Sequence, residues 1–320
     1  MRGVNLTVFA FDYDLTWAAF FLNADEHVYG RYGGRDAGDP EKYLTLAGLK
    51  YAMRQALAAH RHAQRERPPA AAQPVRTVEQ YAAAKRLTPN ACIHCHQVYD
   101  FRREELQAAG RWTKDEVWVY PLPENVGLTL DVTQGNRIAA VRADSPAGRA
   151  GLRAGDVLRD LNRQPVASFA DAQHALHLAP AAGAVPITWQ RGAARLTGTL
   201  QLEPGWRKTD ISWRGSMWGL DPTPCVYGPD LTPAEKRQLG LGPKRLAFRQ
   251  GNFIPPPARL AGVRPGDIIL GIDGKELEMT MLQFNAYVRL SYEVGDPITL
   301  NIIRDGKRLD IPMKLPARAF

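Results

Sequence analysis

The chain has 320 residues, 45% of them hydrophobic and 23% charged, the make-up of an ordered globular protein of two or three domains, which excludes disorder throughout. Three cysteines exclude a disulfide-dense scaffold, and no run reaches the roughly 18 apolar residues that a membrane-spanning helix needs. The formal charge is +8, and residues 50–114 hold twelve Lys/Arg against five Asp/Glu, a basic field suited to acidic protein surfaces or to peripheral contact with anionic lipid. No nucleic-acid-binding module accompanies that field, so nucleic acid is not an expected partner.

In chain order, Val8 to Phe11 and Trp17 to Leu22 read as buried strands. The second turns through Asn23-Ala24-Asp25-Glu26 into Val28 to Tyr32, and a helix follows from about Leu44 to His62. Asp12 and Asp14 interrupt the only apolar candidate for a leader, so a trimmed or alternative start is expected. This strand, hairpin and helix over residues 1–64 resemble the second half of a thioredoxin fold. The strand and helix that carry the redox Cys-x-x-Cys of that family are absent, and Thr16-Trp17 stands where the family has Thr and a cis proline. The resemblance therefore implies no thioredoxin-type thiol activity, and the same residues also read as a plain hairpin and helix packed on its neighbours.

Residues 65–76 form a Pro/Ala linker, where proline removes amide donors and fixes φ. Residues 77–123 read as a small helical cassette, with helices from about Val78 to Leu87 and Phe101 to Gly110. Between them lies Cys92-Ile93-His94-Cys95-His96, the one stretch with explicit cofactor chemistry. Three chemistries fit it. In the preferred one, Cys92 and Cys95 form thioethers to a single haem c and His96 is the proximal iron ligand, because the histidine directly follows the second thiol. The others are a metal site of Cys92, Cys95 and His94 or His96, completed by His60 or His62, and a thiol–disulfide pair. The cassette contains no methionine, so a sixth haem ligand is sought among His60, His62, Met53, Met217 and Tyr99, or the position is open. Covalent haem attachment places the protein outside the cytoplasm, in the periplasm or an equivalent compartment.

From Val126 the pattern changes to strands. Val126-Gly127-Leu128-Thr129-Leu130, Arg137 to Val141, and Ser145-Pro146-Ala147-Gly148-Arg149-Ala150-Gly151-Leu152-Arg153-Ala154-Gly155-Asp156 resemble a PDZ domain of the bacterial high-temperature-requirement protease type. The signature returns as Ala261-Gly262-Val263-Arg264-Pro265-Gly266-Asp267, 111 residues on, so two copies are expected, over residues 124–204 and 205–320. Leu231 to Leu241 matches the small helix that such domains insert between two early strands. The resemblance implies that a partner's C-terminus adds as a strand beside Thr129 to Val132, its carboxylate on backbone N–H groups of the Val126-Gly127-Leu128 loop, with His174 on the groove helix. In the second copy Pro222 and Pro224 remove donors from the corresponding edge, so that groove is expected to be degenerate. No Gly-x-Ser-x-Gly or Gly-Asn-Ser-Gly-Gly element occurs, so serine protease chemistry is not carried over.

The expected architecture is thus multidomain α+β: a partial thioredoxin-like α/β segment, a small helical haem cassette and two PDZ β-barrel-like domains. The expected function is a mono-haem redox or adaptor protein that gathers partners through peptide C-termini and an acidic docking surface. The rivals are a non-catalytic PDZ scaffold within a larger assembly, whose Cys/His motif is a structural metal or thiol site, and an open-site haem enzyme or sensor.

Overall fold

The hairpin forms from Ala18–Leu22 (β1) and Val28–Gly33 (β2), paired antiparallel in a computed structural model that describes residues 1–63, 74–88 and 91–318. Its tip is held by Asn23, whose side-chain oxygen accepts from the amides of Asp25 (3.0 Å) and His27 (2.9 Å), the local bonding that makes asparagine a turn residue. Helix α1, Leu46–Ala63, packs on β2 and starts at Thr45, whose hydroxyl accepts from Gly48 N at 3.0 Å. The strand expected at Val8 to Phe11 is absent. Asn5 accepts from Thr7 N with its side chain and from Phe9 N with its backbone, which coils the segment into turns. Phe9 and Phe11 instead pack edge-on against Phe20, at 5.2 and 5.8 Å between centroids. A hairpin and helix are therefore present, and a thioredoxin-like fold is not established.

Most of the Pro/Ala linker lies outside the described residues. In the cassette, the helix expected at Val78 to Leu87 is replaced by two 3-10 turns, Val78–Gln80 and Ala84–Arg86. Val78, Tyr81 and Ala84 fall three apart, the 3-10 period, and all three are buried on one cluster with Leu6, Tyr13, Ile93, Val98 and Phe101. Helix α2, Gln97–Ala108, begins directly after His96, four residues earlier than the apolar pattern suggests.

The first strand-rich copy contains Leu128–Leu130 (β3) paired with Ile138–Val141 (β4), the short helix Pro146–Arg149 (α3), and strands Val157–Leu161 (β5), Gln164–Pro165 (β6), Gly183–Arg191 (β7) and Ala194–Leu202 (β8) in the order β6-β5-β7-β8. Helix α4, Phe169–His177, starts at Ser168, which caps Asp171 N. Its Ala172, Ala175 and Leu176 join a core with Val126, Leu128, Leu158, Leu161, Ile187 and Leu200. Each fully buried aliphatic side chain there contributes roughly 1.5–3 kcal/mol relative to exposure.

The chain divides into two units, Met1–Thr209 and Asp210–Phe320. The second holds α5 (Pro233–Gln238), β9 (Phe248–Arg249), α6 (Pro256–Ala261), β10 (Ile268–Ile272), α7 (Met281–Ser291), β11 (Pro297–Arg304) and β12 (Lys307–Lys314), with sheet order β12-β11-β10-β9. α5 lies within the inserted helix expected at Leu231 to Leu241 and is closed by a Thr232–Glu235 capping box.

Both copies share one polar lock. In the first, Arg191 grips Asp156 with Nε on Oδ1 (2.8 Å) and Nη2 on Oδ2 (2.7 Å), donates to Gly151 O (2.8 Å), and Arg153 N donates to Asp156 Oδ2 (2.9 Å). In the second, Arg304, Asp267, Gly262 and Arg264 N repeat every bond at 2.7–2.8 Å. The repeated Gly-Asp is therefore the acceptor that ties the short helix and its turn to a strand arginine.

Candidate functional site

The peptide-binding candidates lie together in the first unit. Val126 and Leu128 are fully buried and Leu130 nearly so, all toward the core, while Thr129 faces out. Gly127 sits at φ 88°, and a Cβ there would come within 2.1 Å of the Ser145 side chain, so only glycine makes this loop. On β3, Gly127 O accepts from Arg142 N and Asp131 N donates to Arg137 O, so the odd-numbered residues bond toward β4. Leu128 and Leu130 consequently turn their backbone groups to the other edge, where no further strand is added among the described residues. Loop, edge and α4 are the three walls that strand addition requires.

His174 is placed differently from the sequence expectation. It is 9% exposed, its ring faces Tyr120 at 6.4 Å, and burial together with the Arg31 guanidinium pushes its pKa down to about 3. Its Nδ1 finds no hydrogen-bond partner among the described residues. Helix α4 is enclosed on its outer side as well. Arg31 N donates to Asp171 Oδ1 at 2.8 Å, Ser168 Oγ donates to Arg31 O, Tyr120 stacks on His177 at 4.1 Å, and Gln173 Nε2 donates to Tyr120 O at 3.2 Å. Burial pushes the Asp171 carboxyl up to about 6 in spite of Arg31 and these bonds. Arg31, Tyr43, Thr45 and Tyr120 escaped the sequence reading, since nothing local marks residues whose partners lie 50 to 140 positions away.

In the second copy no strand forms between 221 and 229. Thr223 N donates to Pro316 O, and Asn285 Nδ2 on α7 donates straight across to Val226 O at 3.3 Å. Arg289, 2% exposed, bonds Asn285 Oδ1 at 2.9 Å and lies over the Trp218 ring at 5.2 Å. The helix and the chain opposite it are thus joined by their own side chains.

The Cys-His motif lies on the rim of the cassette. Cys92 and His96 are exposed, and Cys95 is half-buried with Sγ 3.6 Å from Met1 Sδ. Ile93 fills the cluster instead, and Met1 N donates to Ile93 O at 2.9 Å. Tyr99 is committed elsewhere, donating to Asp12 Oδ1 (3.0 Å) and accepting from Tyr13 N (3.1 Å). His60 Nδ1 lies 2.9 Å from Tyr29 Oη, Met53 and His62 are exposed on α1, and Met217 is buried in the second unit. No disulfide joins any two of the three cysteines, and among the described residues no group of three or more His, Cys, Asp or Glu side chains is placed to hold a metal ion. Cys92 and His96 thus lie at the surface, beside a cluster already filled by tyrosine, valine and phenylalanine.

Residues 137–191 and 255–315 match family models for the PDZ domain. The chain carries two PDZ domains. It is 26% identical over 226 residues to a probable periplasmic DegP-like serine endoprotease of Ectopseudomonas mendocina (strain ymp), covering 66% of this chain and 45% of that protein. It is 27% identical to the periplasmic pH-dependent serine endoprotease DegQ of Escherichia coli (strain K12), over 46% of this chain and 30% of that protein. Among solved structures, the HtrA3 PDZ domain bound to a phage-derived ligand covers 24% of this chain and 83% of that one, at 21% identity and a TM-score of 0.21. The chain thus spans less than half the length of these two curated relatives. Relatives of the PDZ-bearing protease type, rather than cytochromes, overturn the expected haem-bearing electron-transfer function. They fit the non-catalytic PDZ scaffold alternative better.

Proposed function

We propose that this chain is a periplasmic PDZ interaction protein that works without protease chemistry of its own, as a scaffold that engages protein partners. Its first PDZ domain is the peptide-binding copy, taking an extended segment with a free C-terminal carboxylate along the outer edge of Leu128–Leu130. The second copy is structural. The observation that carries this reading is the β3 edge without a neighbouring strand, running on from a glycine-only loop and facing α4. The second copy lacks such an edge, because prolines and the Asn285–Val226 bond occupy its place. The periplasmic location rests on the relatives' names, and among the described residues no helix is long and apolar enough to cross a membrane. Cys92 and Cys95 are then a local thiol site of the cassette.

Hydrogen–deuterium exchange tests the reading. A pool of hexapeptides ending in Val, Leu or Phe with a free carboxylate is expected to slow exchange at 126–132 and to leave 222–231 unchanged. The same pool amidated at its C-terminus is expected to leave both segments unchanged. Unchanged exchange at 126–132 with the free acids sinks the peptide-binding role.

A further inference from the structure

Tyr43 is 3% exposed although it precedes α1 in a surface connection, and it belongs to the core of a domain that begins about 80 residues later. Its ring lies 3.7 Å from the ring of Phe169, the first residue of α4, at an interplanar angle of 19°. Its hydroxyl is 3.3 Å from Glu124 Oε1, in the turn that leads to Gly127. One side chain therefore spans from the groove helix to the loop that would receive a carboxylate. Two residues on, Thr45 Oγ1 donates to Val132 O at 2.8 Å. Val132 stands two residues past the end of β3, where an added strand would run on from its outer edge. Gly48 seals the same spot, since a Cβ there would stand 2.6 Å from Val132 O. Upstream, Gly34 lies so close that a Cβ would stand 2.4 Å from the Phe169 ring, and Arg31 is bonded through both its amide and its carbonyl to the first turn of α4.

From this geometry we infer that residues 31–48 are a tethered plug for the first PDZ groove, so that a peptide binds only when Tyr43 and Thr45 leave it. The inference rests on the peptide-binding reading above and adds its control. Leu128 and Leu130 keep an edge that no strand covers, while both ends of that edge are stoppered by the chain's own residues. A binding-competent state populated to a given fraction lowers apparent affinity by that fraction, so a groove closed nine-tenths of the time binds about tenfold more weakly than an open one. The plug is attached by a stacked ring, two hydroxyl contacts and main-chain bonds, each individually weak, which makes release by a competing ligand a matter of mass action.

The test uses the full chain and the fluorescein-labelled hexapeptide pool with free C-termini. Tyr43→Ala is expected to bind about tenfold tighter than the unsubstituted chain, and Tyr43→Phe and Thr45→Val to fall between them. Because Tyr43→Ala removes core, exchange on the unsubstituted chain gives a second readout. Added peptide is expected to slow exchange at 128–132 and to speed it at the Gly48 and Leu49 amides, which are bonded to Thr45. Equal affinity for all four proteins, or slowing at 128–132 with no change at 48–49, overturns the plug and leaves the peptide-binding role standing. No binding to any of them removes both.

Discussion

His174 shows how far a residue's setting departs from what its position suggests. Placed on the groove helix it reads as a peptide contact, yet it is buried beside Tyr120 and near Arg31, with its pKa pushed down to about 3 from 6.5. Between those values the unfolded chain binds more protons than the folded one, so this residue makes stability fall as the pH drops below 6.5. Asp171, pushed up to about 6 from 3.8, has the opposite sign: between 3.8 and 6 the folded chain holds the extra proton, and stability rises on acidification. The two slopes offset one another over that range, so a scan of the unsubstituted protein hides both. The difference between it and His174→Gln isolates the histidine. From pH 7.5 to 5.0 the variant is expected to gain about 2 kcal/mol on the unsubstituted chain in urea unfolding, at about 1.4 kcal/mol per pH unit below 6.5; a pH-independent difference rules this out. The thiols give a second check at this scale. Cys92 is exposed, Cys95 half-buried and Cys225 3% exposed with its pKa raised by burial. A thiol reagent is therefore expected to modify Cys92 fast, Cys95 slowly and Cys225 only in denaturant, with three thiols titrated in all. A total of one would mean that Cys92 and Cys95 are joined as a disulfide or capped as thioethers, and a reductant restores three thiols only in the first case.

Between elements, the legible part of the fold is the part written in short range. The two Ala-Gly-x-Arg-x-Gly-Asp runs announce the repeat, Thr232-Pro-Ala-Glu235 announces α5, and Pro222 with Pro224 announces the missing strand. The arginines that complete the repeated lock were not legible, because Arg191 and Arg304 reach Asp156 and Asp267 only through strand register, 35 and 37 residues downstream. The same limit hid the 3-10 turns of the cassette, whose apolar spacing of three passes for an irregular helix until its cluster is known. The Asp156–Arg191 lock makes a definite prediction. Burial would raise the Asp156 carboxyl, but the Arg191 fork and the Arg153 amide outweigh it and hold it below the usual carboxylate range. A depressed folded pKa gives stability that is present above the unfolded value of 3.8 and lost as the pH falls through the folded one. Asp156→Asn is expected to destabilise the first copy at pH 7, since it replaces a charge-assisted fork by a neutral amide, and to cost much less near pH 2. Asp267→Asn should likewise destabilise the second copy at pH 7, because it removes the acceptor of the Arg304 fork. Equal costs at both pH values would show the lock to be packing rather than charge.

At the scale of the whole molecule, the division of the chain and the enclosure of α4 decide what can fold alone. The second unit, 210–320, carries its own core of Phe248, Ile269, Phe284, Val288 and Leu300 and closes its groove with its own side chains. The first PDZ domain is different. Eight of the nine residues of α4 are buried, including Asp171, Gln173 and His174, and much of that cover comes from β2, Tyr43 and Tyr120, outside residues 124–204. Cutting the chain at the sequence-level boundary of 124 strips this cover, exposing Phe169 and removing Tyr43 from the core. Two aromatic burials at roughly 1.5–3 kcal/mol each come to about 3–6 kcal/mol, which for a domain of about 80 residues lowers the melting temperature by roughly 20–35 °C. Fragment 210–320 is therefore expected to unfold in one cooperative calorimetric transition. Fragment 124–209 should melt well below the first unit as a whole, and adding the 1–63 segment back in trans should raise it. The plug and the fold prediction share the same contacts, so a fragment 124–209 as stable as the complete first unit would show that residues 1–63 rest on α4 without holding it.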